Sequence, residues 1–281
     1  MPYVVKIHPV FINHNGKILP AHQAIFGTEN RAFRYGDGLF ETIRMFEGKL
    51  PFWSYHWERL FAGAQYLKFQ KLKDASFYKN EIQKLCSEKG NWRIRFSLFR
   101  KDGGLYTPLD FETDFLIETS PLETNHFELN TQGLKVDLCD TLTIPRHPLS
   151  NFKTINSLPY VLAGIYKKEK ELDDCILLND KGKLVEASSS NIFILKNKKL
   201  FTPPLSSGCK DGTMRKVIMG LAPELDLEVL EKNLSPKKLI KADEIWLTNA
   251  VQGLKWVAYF QDKKMTNSIA IRIIKRLNLL K

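Results

Sequence analysis

A lysine stands near the middle of the chain at the start of an amphipathic pattern, in the stretch NFKTIN at 151–156. Removing water from an ammonium group costs free energy, so a lysine in a pocket implies a chemical role. In a pocket, the amine of Lys153 could attack a carbonyl group or act as a general base. At the surface Lys153 would be one solvated lysine among many, and the stretch alone leaves both interpretations open.

Six short motifs with chemically useful residues follow one another along the chain. They are YGDGLFETIR (35–44), HWERL (56–60), NFKTIN (151–156), VEASSSNIF (185–193), GCKDGTMR (208–215) and TNAVQGLKWV (248–257). Each motif alone is a weak signal. In this order and spacing they closely resemble the fold-type IV pyridoxal-phosphate enzymes, which include branched-chain and D-amino-acid aminotransferases and 4-amino-4-deoxychorismate lyase. The resemblance extends from about residue 28 to 260.

The resemblance implies pyridoxal 5′-phosphate as cofactor and Lys153 as the residue that bonds to its aldehyde. Once released by the substrate, the amine of Lys153 acts as the base that moves the Cα proton to C4′ of the cofactor. The cofactor withdraws electrons only while its pyridine nitrogen is protonated, and Glu186 stands where the family places the stabilising acid. The alternative for Glu186 is a solvated glutamate at a strand end. Ser190 and Asn191 belong to a run of small residues that would let the chain pass close to the ring.

The cofactor phosphate carries nearly two negative charges and favours the N–H groups of a helix N-terminus together with a fixed cation. In GCKDGTMR, Gly212 allows close approach, and the amides of Thr213 and Met214 would point at the phosphate. Arg59 in HWERL matches the phosphate arginine of the family, and its planar guanidinium suits an oxyanion. The alternative for Arg59 is a charge on the helix surface that pairs locally with Glu58 or its neighbours.

Two loops leave the subfamily open. The loop Gly212–Arg215 reads G-T-M-R, closer to the lyase than to most aminotransferases. Asn249 and Ala250, predicted to line the cofactor site, replace the G-T-A of many branched-chain enzymes, so Ala250 offers no hydroxyl to the phosphate. Leu105 argues against the lyase, because some lyases carry an arginine at its position.

Substrate recognition is predicted for Phe40, Arg44 and Arg95. Phe40 lies in the strand whose counterpart lines the substrate pocket of the family. Arg44 and Arg95 could attract a carboxylate, and a structural salt bridge is an equally good interpretation of either.

The leading functional hypothesis is an aminotransferase acting on an amino acid and a 2-oxo acid. The same carbanion serves a lyase that releases pyruvate and 4-aminobenzoate from aminodeoxychorismate, so that activity is the alternative. A non-catalytic member acting as a binding protein is a third and remote hypothesis. The family resemblance also implies a homodimer.

The hydrophobic patterns predict the helices and strands that position these residues, and together these elements indicate a mixed α/β (α+β) fold. Strands are predicted at 3–12, 38–46, 92–99 and 113–119, with an Asn-Gly turn at HNGK (14–17), and helices at 55–69, with Ser54 as N-cap, and about 75–88. The polar stretch 123–133 is predicted to link a small α/β domain (1–122) to a larger domain (134–281) that the resemblance makes β-barrel-like.

The second part is predicted to begin with a strand at 134–140. A helix over 157–171 carries Leu158, Val161, Leu162 and Ile165 on one face. A hairpin is expected at 175–186, strands at 191–195, 199–203 and 244–248, and helices after Gly212, after Ser235 and at 267–280.

The bulk composition narrows the class of protein. The 281 residues are 43% hydrophobic and 26% charged, as in soluble globular proteins. We find neither a signal peptide nor a membrane-spanning stretch, and the cysteines lack zinc-ligand spacing, so a cytoplasmic protein without a metal site or membrane contact is expected. The formal net charge of +11 is spread along the chain without a nucleic-acid-binding signature, which favours a solvated basic surface or a positive cleft.

Overall fold

The computed structural model of the chain describes residues 11–23, 26–86 and 88–281. The chain divides into two compact units. The first comprises the residues up to Asn125 together with Lys153–Asn156, and the second comprises His126–Phe152 and Ser157–Lys281. The segment that carries Lys153 thus packs with the first unit, whereas the sequence placed it in the larger domain. The predicted domains at 1–122 and 134–281 stay a prediction.

The first unit consists of one sheet and three helices within the described residues. Its elements are β1 (Phe11–His14), β2 (Lys17–Pro20), α1 (Arg31–Tyr35), β3 (Gly38–Met45), α2 (Trp53–Tyr66), α3 (Ala75–Gln83), β4 (Trp92–Arg100) and β5 (Thr113–Pro121). The strands are antiparallel in the order β2-β1-β5-β4-β3. Strand β3 therefore lies at one end of this order, where a further extended segment can pair with it.

The hairpin β1–β2 forms as its turn residues predict. Asn15 and Gly16 have positive φ angles of 53° and 87°, which a two-residue turn of type I′ requires. The predicted turn is confirmed. Residues 3–10 of the strand predicted at 3–12 lie outside the described residues, and its last two residues begin β1.

Two helices pack on the sheet of the first unit. The predicted N-cap Ser54 of α2 is wrong, because the helix begins at Trp53 and Phe52 occupies the cap position without a side-chain hydrogen bond. In α3, by contrast, the Asp74 carboxylate accepts a hydrogen bond from the main-chain N–H of Phe77 and caps the helix.

The second unit consists of a large sheet and helices that pack against its inner strands. Its elements are β6 (Leu134–Ile144), α4 (Leu158–Glu169), β7 (Asp174–Asn179), β8 (Leu184–Ala187), β9 (Asn191–Lys196), β10 (Lys199–Thr202), α5 (Thr213–Leu221), β11 (Glu228–Glu231), α6 (Lys237–Ile240), β12 (Glu244–Asn249), β13 (Gly253–Phe260), β14 (Lys263–Lys264) and α7 (Ser268–Leu277), with short 3₁₀ helices at Pro148–Asn151, Leu205–Ser207 and Ala222–Leu225.

The strands of this sheet follow the order β11-β10-β9-β12-β13-β6-β7-β8, and β14 pairs with β13. The predicted hairpin of β7 and β8 is confirmed as an antiparallel pair. It carries Glu186 in β8, and Asn191 begins β9. Both residues are buried, next to the fully buried core residues Ala187 and Ile192.

Helix α4 does not bury the face that its periodicity indicates. Ala163 and Tyr166 are its buried residues. The four apolar side chains predicted on one face are exposed by 48–68%: Leu158, Val161, Leu162 and Ile165. Neither α4 nor any other helix among the described residues is long and apolar enough to cross a membrane.

Candidate active site

The segment Lys153–Asn156 adds to the free edge of β3 in the first unit. The main-chain N–H of Phe40 donates to the carbonyl of Lys153 over 2.8 Å, and the N–H of Ile155 donates to the carbonyl of Gly38 over 2.9 Å. Because these bonds belong to the main chain, they fix the backbone of Lys153 beside β3.

The aromatic ring of Phe40 lies against two cations. The Nζ of Lys153 is 3.8 Å and the Cζ of Arg95 is 3.9 Å from its centroid. The two charged groups are therefore no more than 7.7 Å apart, the sum of these distances. Burial lowers the pKa of Arg95, and the charge of Glu118, whose Oε2 lies 3.8 Å from the Arg95 Nε, opposes this effect. Phe40 and Arg95 thus lie beside Lys153, and their role in substrate binding stays a prediction.

Arg44 makes different contacts. Its side chain is buried, and its Nη2 donates to the carbonyl and the hydroxyl of Thr124, each over 2.9 Å. Its guanidinium carbon lies 4.6 Å from the centroid of the Phe46 ring. These contacts favour a structural interpretation of Arg44, and its role in substrate binding stays a prediction.

Arg59 belongs to a buried cluster with Glu41 and His56. Its Nε and Nη2 donate to the two oxygens of Glu41 over 2.8 and 2.5 Å, and the His56 Nδ1 lies 2.7 Å from Glu41 Oε2. Burial alone would raise the pKa of Glu41, but the charge of Arg59 and the hydrogen bond with His56 outweigh it and lower the pKa to about 2. Burial lowers the pKa of His56 despite the neighbouring carboxylate. The cluster therefore consists of an ion pair and a neutral imidazole.

Arg59 forms an ion pair with Glu41 in β3. Glu41 holds one edge of the guanidinium and so fixes its orientation. Phosphate binding by Arg59 stays a prediction.

In the second unit, Glu186 accepts hydrogen bonds from three elements. The hydroxyl of Tyr160 in α4 donates to its Oε1 over 2.6 Å. The main-chain N–H of Lys210 donates to its Oε2 over 2.9 Å, and the side-chain amide of Asn191 lies 3.4 Å from the same oxygen. Glu186 is only 2% exposed. The alternative of a solvated glutamate is therefore wrong, since a buried carboxylate needs donors and these groups supply them.

The loop that carries the phosphate motif is tied to the same residues. The Asn191 amide also donates to the carbonyl of Lys210 over 2.9 Å, and the main-chain N–H of Gly212 donates to that carbonyl over 2.9 Å. A Cβ atom on Gly212 would lie 1.8 Å from Asn191 Oδ1. A larger residue at 212 would therefore displace the Asn191 side chain, and the close approach of Gly212 to a phosphate stays a prediction.

Gly212 is also the N-cap of α5. It supplies no side chain to cap the helix, so the N–H groups of the first turn, where Thr213 and Met214 stand, are directed at the space before the helix. Both residues are buried, by 98% and 99%. A helix start of this kind attracts an anion.

Ser190 and Asn249 are brought together as well. The Asn249 amide donates to the Ser190 hydroxyl over 3.1 Å. The Asn249 side-chain oxygen accepts from the N–H groups of Val251 and Gln252 over 3.1 and 2.8 Å. Ala250 lies within this turn, where its side chain is only a methyl group.

Sequence reasoning missed three residues of this arrangement. They are Tyr160 and Lys210, which bind Glu186, and Asn151, which precedes the lysine segment. Asn151 donates to the carbonyls of Leu205 and Cys209, each over 2.8 Å, and accepts from the N–H of Asp211 over 3.0 Å. Asn151 belongs to the motif NFKTIN, but the sequence did not predict its hydrogen-bond partners, because they lie more than 50 residues away in the chain.

Known proteins provide an independent comparison. A sequence model of the family described as amino-transferase class IV matches residues 38–258. A putative branched-chain-amino-acid aminotransferase of Methanocaldococcus jannaschii is 30% identical over 277 residues, 94% of this chain and 92% of the relative. An aminodeoxychorismate lyase of Vibrio harveyi is 26% identical over 227 residues, 80% of this chain and 83% of the relative.

The structural comparison agrees. The branched-chain amino acid aminotransferase of Escherichia coli superposes with a TM-score of 0.84 at 25% identity, over 94% of this chain and 92% of that one. The expected mixed α/β fold is thereby confirmed. Since the family match covers well over half of the residues, the chain belongs to the class IV aminotransferase family.

Proposed function

We propose that the chain is a pyridoxal-phosphate-dependent aminotransferase that passes the amino group of an amino acid to a 2-oxo acid. The observation that carries this proposal is the buried Glu186 carboxylate, which is linked by hydrogen bonds of Asn191 and Lys210 to Gly212, the N-cap of α5. A buried carboxylate near a helix N-terminus suits a flat cofactor with a protonated ring nitrogen at one end and a phosphate at the other.

The residues then have separate tasks. The bound cofactor would withdraw electrons from the Cα atom of the substrate. The amine of Lys153 would take the proton from that Cα atom as a general base. Glu186 keeps a proton on the pyridine nitrogen. The N–H groups of Thr213 and Met214 would bind the phosphate. Arg59 is the arginine to which the family resemblance gives the same role.

The substrate is proposed to be an amino acid whose carboxylate Arg95 attracts. The Arg95 guanidinium lies within 7.7 Å of the amine of Lys153, and the Arg95 side chain is 34% exposed. Phe40 provides an apolar surface beside both groups. The relative from M. jannaschii is named for branched-chain amino acids, which agrees with an apolar wall.

The lyase activity stays the second candidate. Met214 and the pair Asn249–Ala250 resemble the lyase loops, and the V. harveyi relative carries that name. Both activities use Lys153 and Glu186 in the same way, so the loops alone do not separate them.

We further propose a homodimer, on the support of two exposed apolar regions. One is the face of α4 described above. The other is in the first unit and consists of Phe33, Leu105, Tyr106 and Leu109, each more than 70% exposed. Arg31 holds the loop of this region through hydrogen bonds to the carbonyls of Gly103 and Leu105, over 3.0 and 2.6 Å. An ordered loop with apolar tips is suited to a second copy of the chain.

The proposal is tested by loading the purified protein with pyridoxal phosphate, reducing it with borohydride and mapping the labelled peptide. We expect the label on Lys153 and none in a Lys153→Met variant. Added glutamate should then shift the absorbance of the unreduced protein from about 420 to about 330 nm.

Release of pyruvate from aminodeoxychorismate without any such shift would instead support the lyase. A protein that stays colourless with the cofactor would contradict both activities. The expected cytoplasmic location stays a prediction.

A further inference from the structure

We propose that Tyr160 is a positioning residue for Glu186, and that its hydroxyl keeps the carboxylate aligned with the pyridine nitrogen of the cofactor. This inference rests on the proposed function, because the nitrogen belongs to pyridoxal phosphate. Nothing in the six motifs or in the roles given to their residues assigns Tyr160 a task.

The geometry of the hydrogen bond is that of a strong, charge-assisted contact. The Tyr160 hydroxyl and Glu186 Oε1 are 2.6 Å apart, within the range of O–H···O⁻ bonds. Burial and then the charge of Glu186 raise the pKa of Tyr160. The phenol therefore keeps its proton at neutral pH and donates it to the hydrogen bond with Glu186.

Tyr160 stands in the first turn of α4, directly after Pro159. Proline fixes its own φ angle, so this turn has little freedom to move. The hydroxyl that reaches Glu186 is thus anchored to a rigid part of a helix, and the contact is a fixed point for the carboxylate.

A second fixed point lies on the other carboxylate oxygen. The main-chain N–H of Lys210 donates to Glu186 Oε2 over 2.9 Å. The Nζ of the same lysine lies 4.8 Å from the centroid of the Tyr160 ring and donates to the carbonyl of Ser150 over 2.8 Å. Two donors from different elements, themselves in contact, therefore hold the two oxygens and set the plane of the carboxylate.

The plane matters because a donor approaches a carboxylate oxygen best near that plane. Loss of the Tyr160 hydroxyl would let the carboxylate turn about its Cγ–Cδ bond, and it would leave the carboxylate more basic, since a donor to the charged form is gone. Both changes lower the fraction of bound cofactor whose ring nitrogen is protonated.

A Tyr160→Phe variant, loaded with pyridoxal phosphate labelled with ¹⁵N in the ring, tests the proposal. We expect the ¹⁵N resonance to move from its wild-type position towards that of the deprotonated ring. The dissociation constant of the cofactor, measured by fluorescence titration, should rise about five- to tenfold, the range that loss of one charge-assisted hydrogen bond predicts.

Tyr166→Phe is the matched control. Tyr166 lies in the same helix, and its hydroxyl donates to the carbonyl of Leu138 over 3.0 Å. Both variants lose one hydrogen bond of one tyrosine, so their urea-denaturation midpoints should be similar, but Tyr166→Phe should leave the ¹⁵N resonance in place.

The outcomes separate the two proposals. Wild-type protein that binds the cofactor, with an unchanged ¹⁵N resonance in Tyr160→Phe or an equal change in Tyr166→Phe, would overturn the positioning role alone. A wild-type protein that binds no pyridoxal phosphate would overturn the proposed function and this inference with it.

Discussion

The Nζ of Lys153 lies 3.8 Å from the centroid of the Phe40 ring, and a main-chain hydrogen bond of 2.8 Å joins the same two residues. The main-chain bond fixes where the lysine backbone runs along β3. The ring attracts the ammonium group through its π electrons and holds the side chain on one side of the strand. The amine of Lys153 is thus held beside the ring of Phe40.

This relationship predicts an energetic coupling between Phe40 and Lys153. In cofactor-free protein, Phe40→Leu, Lys153→Met and the double variant form a cycle, and we expect a coupling free energy of about 0.5–1 kcal/mol from urea denaturation. The pair Tyr166 and Lys170 is the control, because its cation lies 6.0 Å from the ring centroid. Its cycle with Tyr166→Leu and Lys170→Met should give a smaller value. A coupling near zero for Phe40 and Lys153 would show that the ring does not hold the amine.

The buried pair of Glu41 and Arg59 predicts a pH-dependent stability. The pKa of Glu41 is lowered from 4.5 to about 2, so its contribution to stability is fully present above pH 4.5 and is lost as the pH falls from there towards 2. In Glu41→Gln, Arg59 loses the partner of its buried charge, and we expect a loss of about 3–5 kcal/mol at pH 7. The difference between wild type and variant should shrink by about 2 kcal/mol between pH 7 and pH 3.

The measurement is urea denaturation of wild type and Glu41→Gln at both pH values. Glu58→Gln is the control, because it removes an exposed carboxyl from the same helix as Arg59. We expect it to cost less than about 0.5 kcal/mol at either pH. A difference between wild type and Glu41→Gln that is the same at pH 7 and pH 3 would contradict the ion pair.

Local signals account for much of what the sequence predicted. The Asn15-Gly16 turn needs only two residues with positive φ, and both residue types tolerate it. The spacing of α2 revealed the helix but not its start, which is Trp53, one residue before Ser54. Five further elements escaped prediction because they are short or lie inside a motif considered for its chemistry: α1, β2, β11, β13 and β14.

The sequence did not predict contacts between residues that are far apart in the chain. Tyr160 and Glu186 are 26 residues apart, and Glu41 and Arg59 are 18 apart, so each pair meets only through the tertiary fold. Glu186, Gly212 and Asn191 were found through the family resemblance, which carries such information. In α4, periodicity identified four residues on one face, but it does not say whether the chain itself covers that face.

Gly212 predicts a steric test of the phosphate loop. Its φ angle of −69° suits any residue, so Gly212→Ala acts only through the clash of its Cβ with Asn191. The loop or Asn191 must shift, and we expect the affinity for pyridoxal phosphate to fall about tenfold or more. Gly220→Ala, in the same helix, meets no atom within 4 Å and should leave the affinity unchanged while stabilising the protein by up to about 1 kcal/mol. Equal affinities of the two variants, measured by fluorescence titration, would exclude this loop from the cofactor site.

The two arginines of the predicted substrate site should behave differently. Arg95→Gln is expected to raise the KM for glutamate about tenfold, with a smaller change in kcat, because it removes a charge that attracts a carboxylate before the chemical step. Arg44→Leu should lower stability through its lost bonds to Thr124 and leave the KM of the folded enzyme nearly unchanged. Steady-state kinetics and denaturation of both variants check this, and an unchanged KM in Arg95→Gln would assign Arg95 a structural role.

The exposed face of α4 predicts the site of self-association. Leu158, Val161, Leu162 and Ile165 follow the spacing i, i+3, i+4 and i+7, which forms a continuous apolar stripe along a helix. In a dimer with twofold symmetry the same stripe of two copies can pack against itself, and burial of each leucine contributes about 1.5–3 kcal/mol. A glutamate in the middle of the stripe would place two buried like charges opposite each other.

We therefore expect Leu162→Glu to be monomeric in light scattering after size-exclusion chromatography, at concentrations at which the wild type is a dimer. Leu279→Glu makes the same change at a leucine that is 74% exposed and outside the described helices, and it should remain a dimer. A dimeric Leu162→Glu would place the contact elsewhere, and the apolar loop of the first unit, with Leu105 and Tyr106, would be the next face to test.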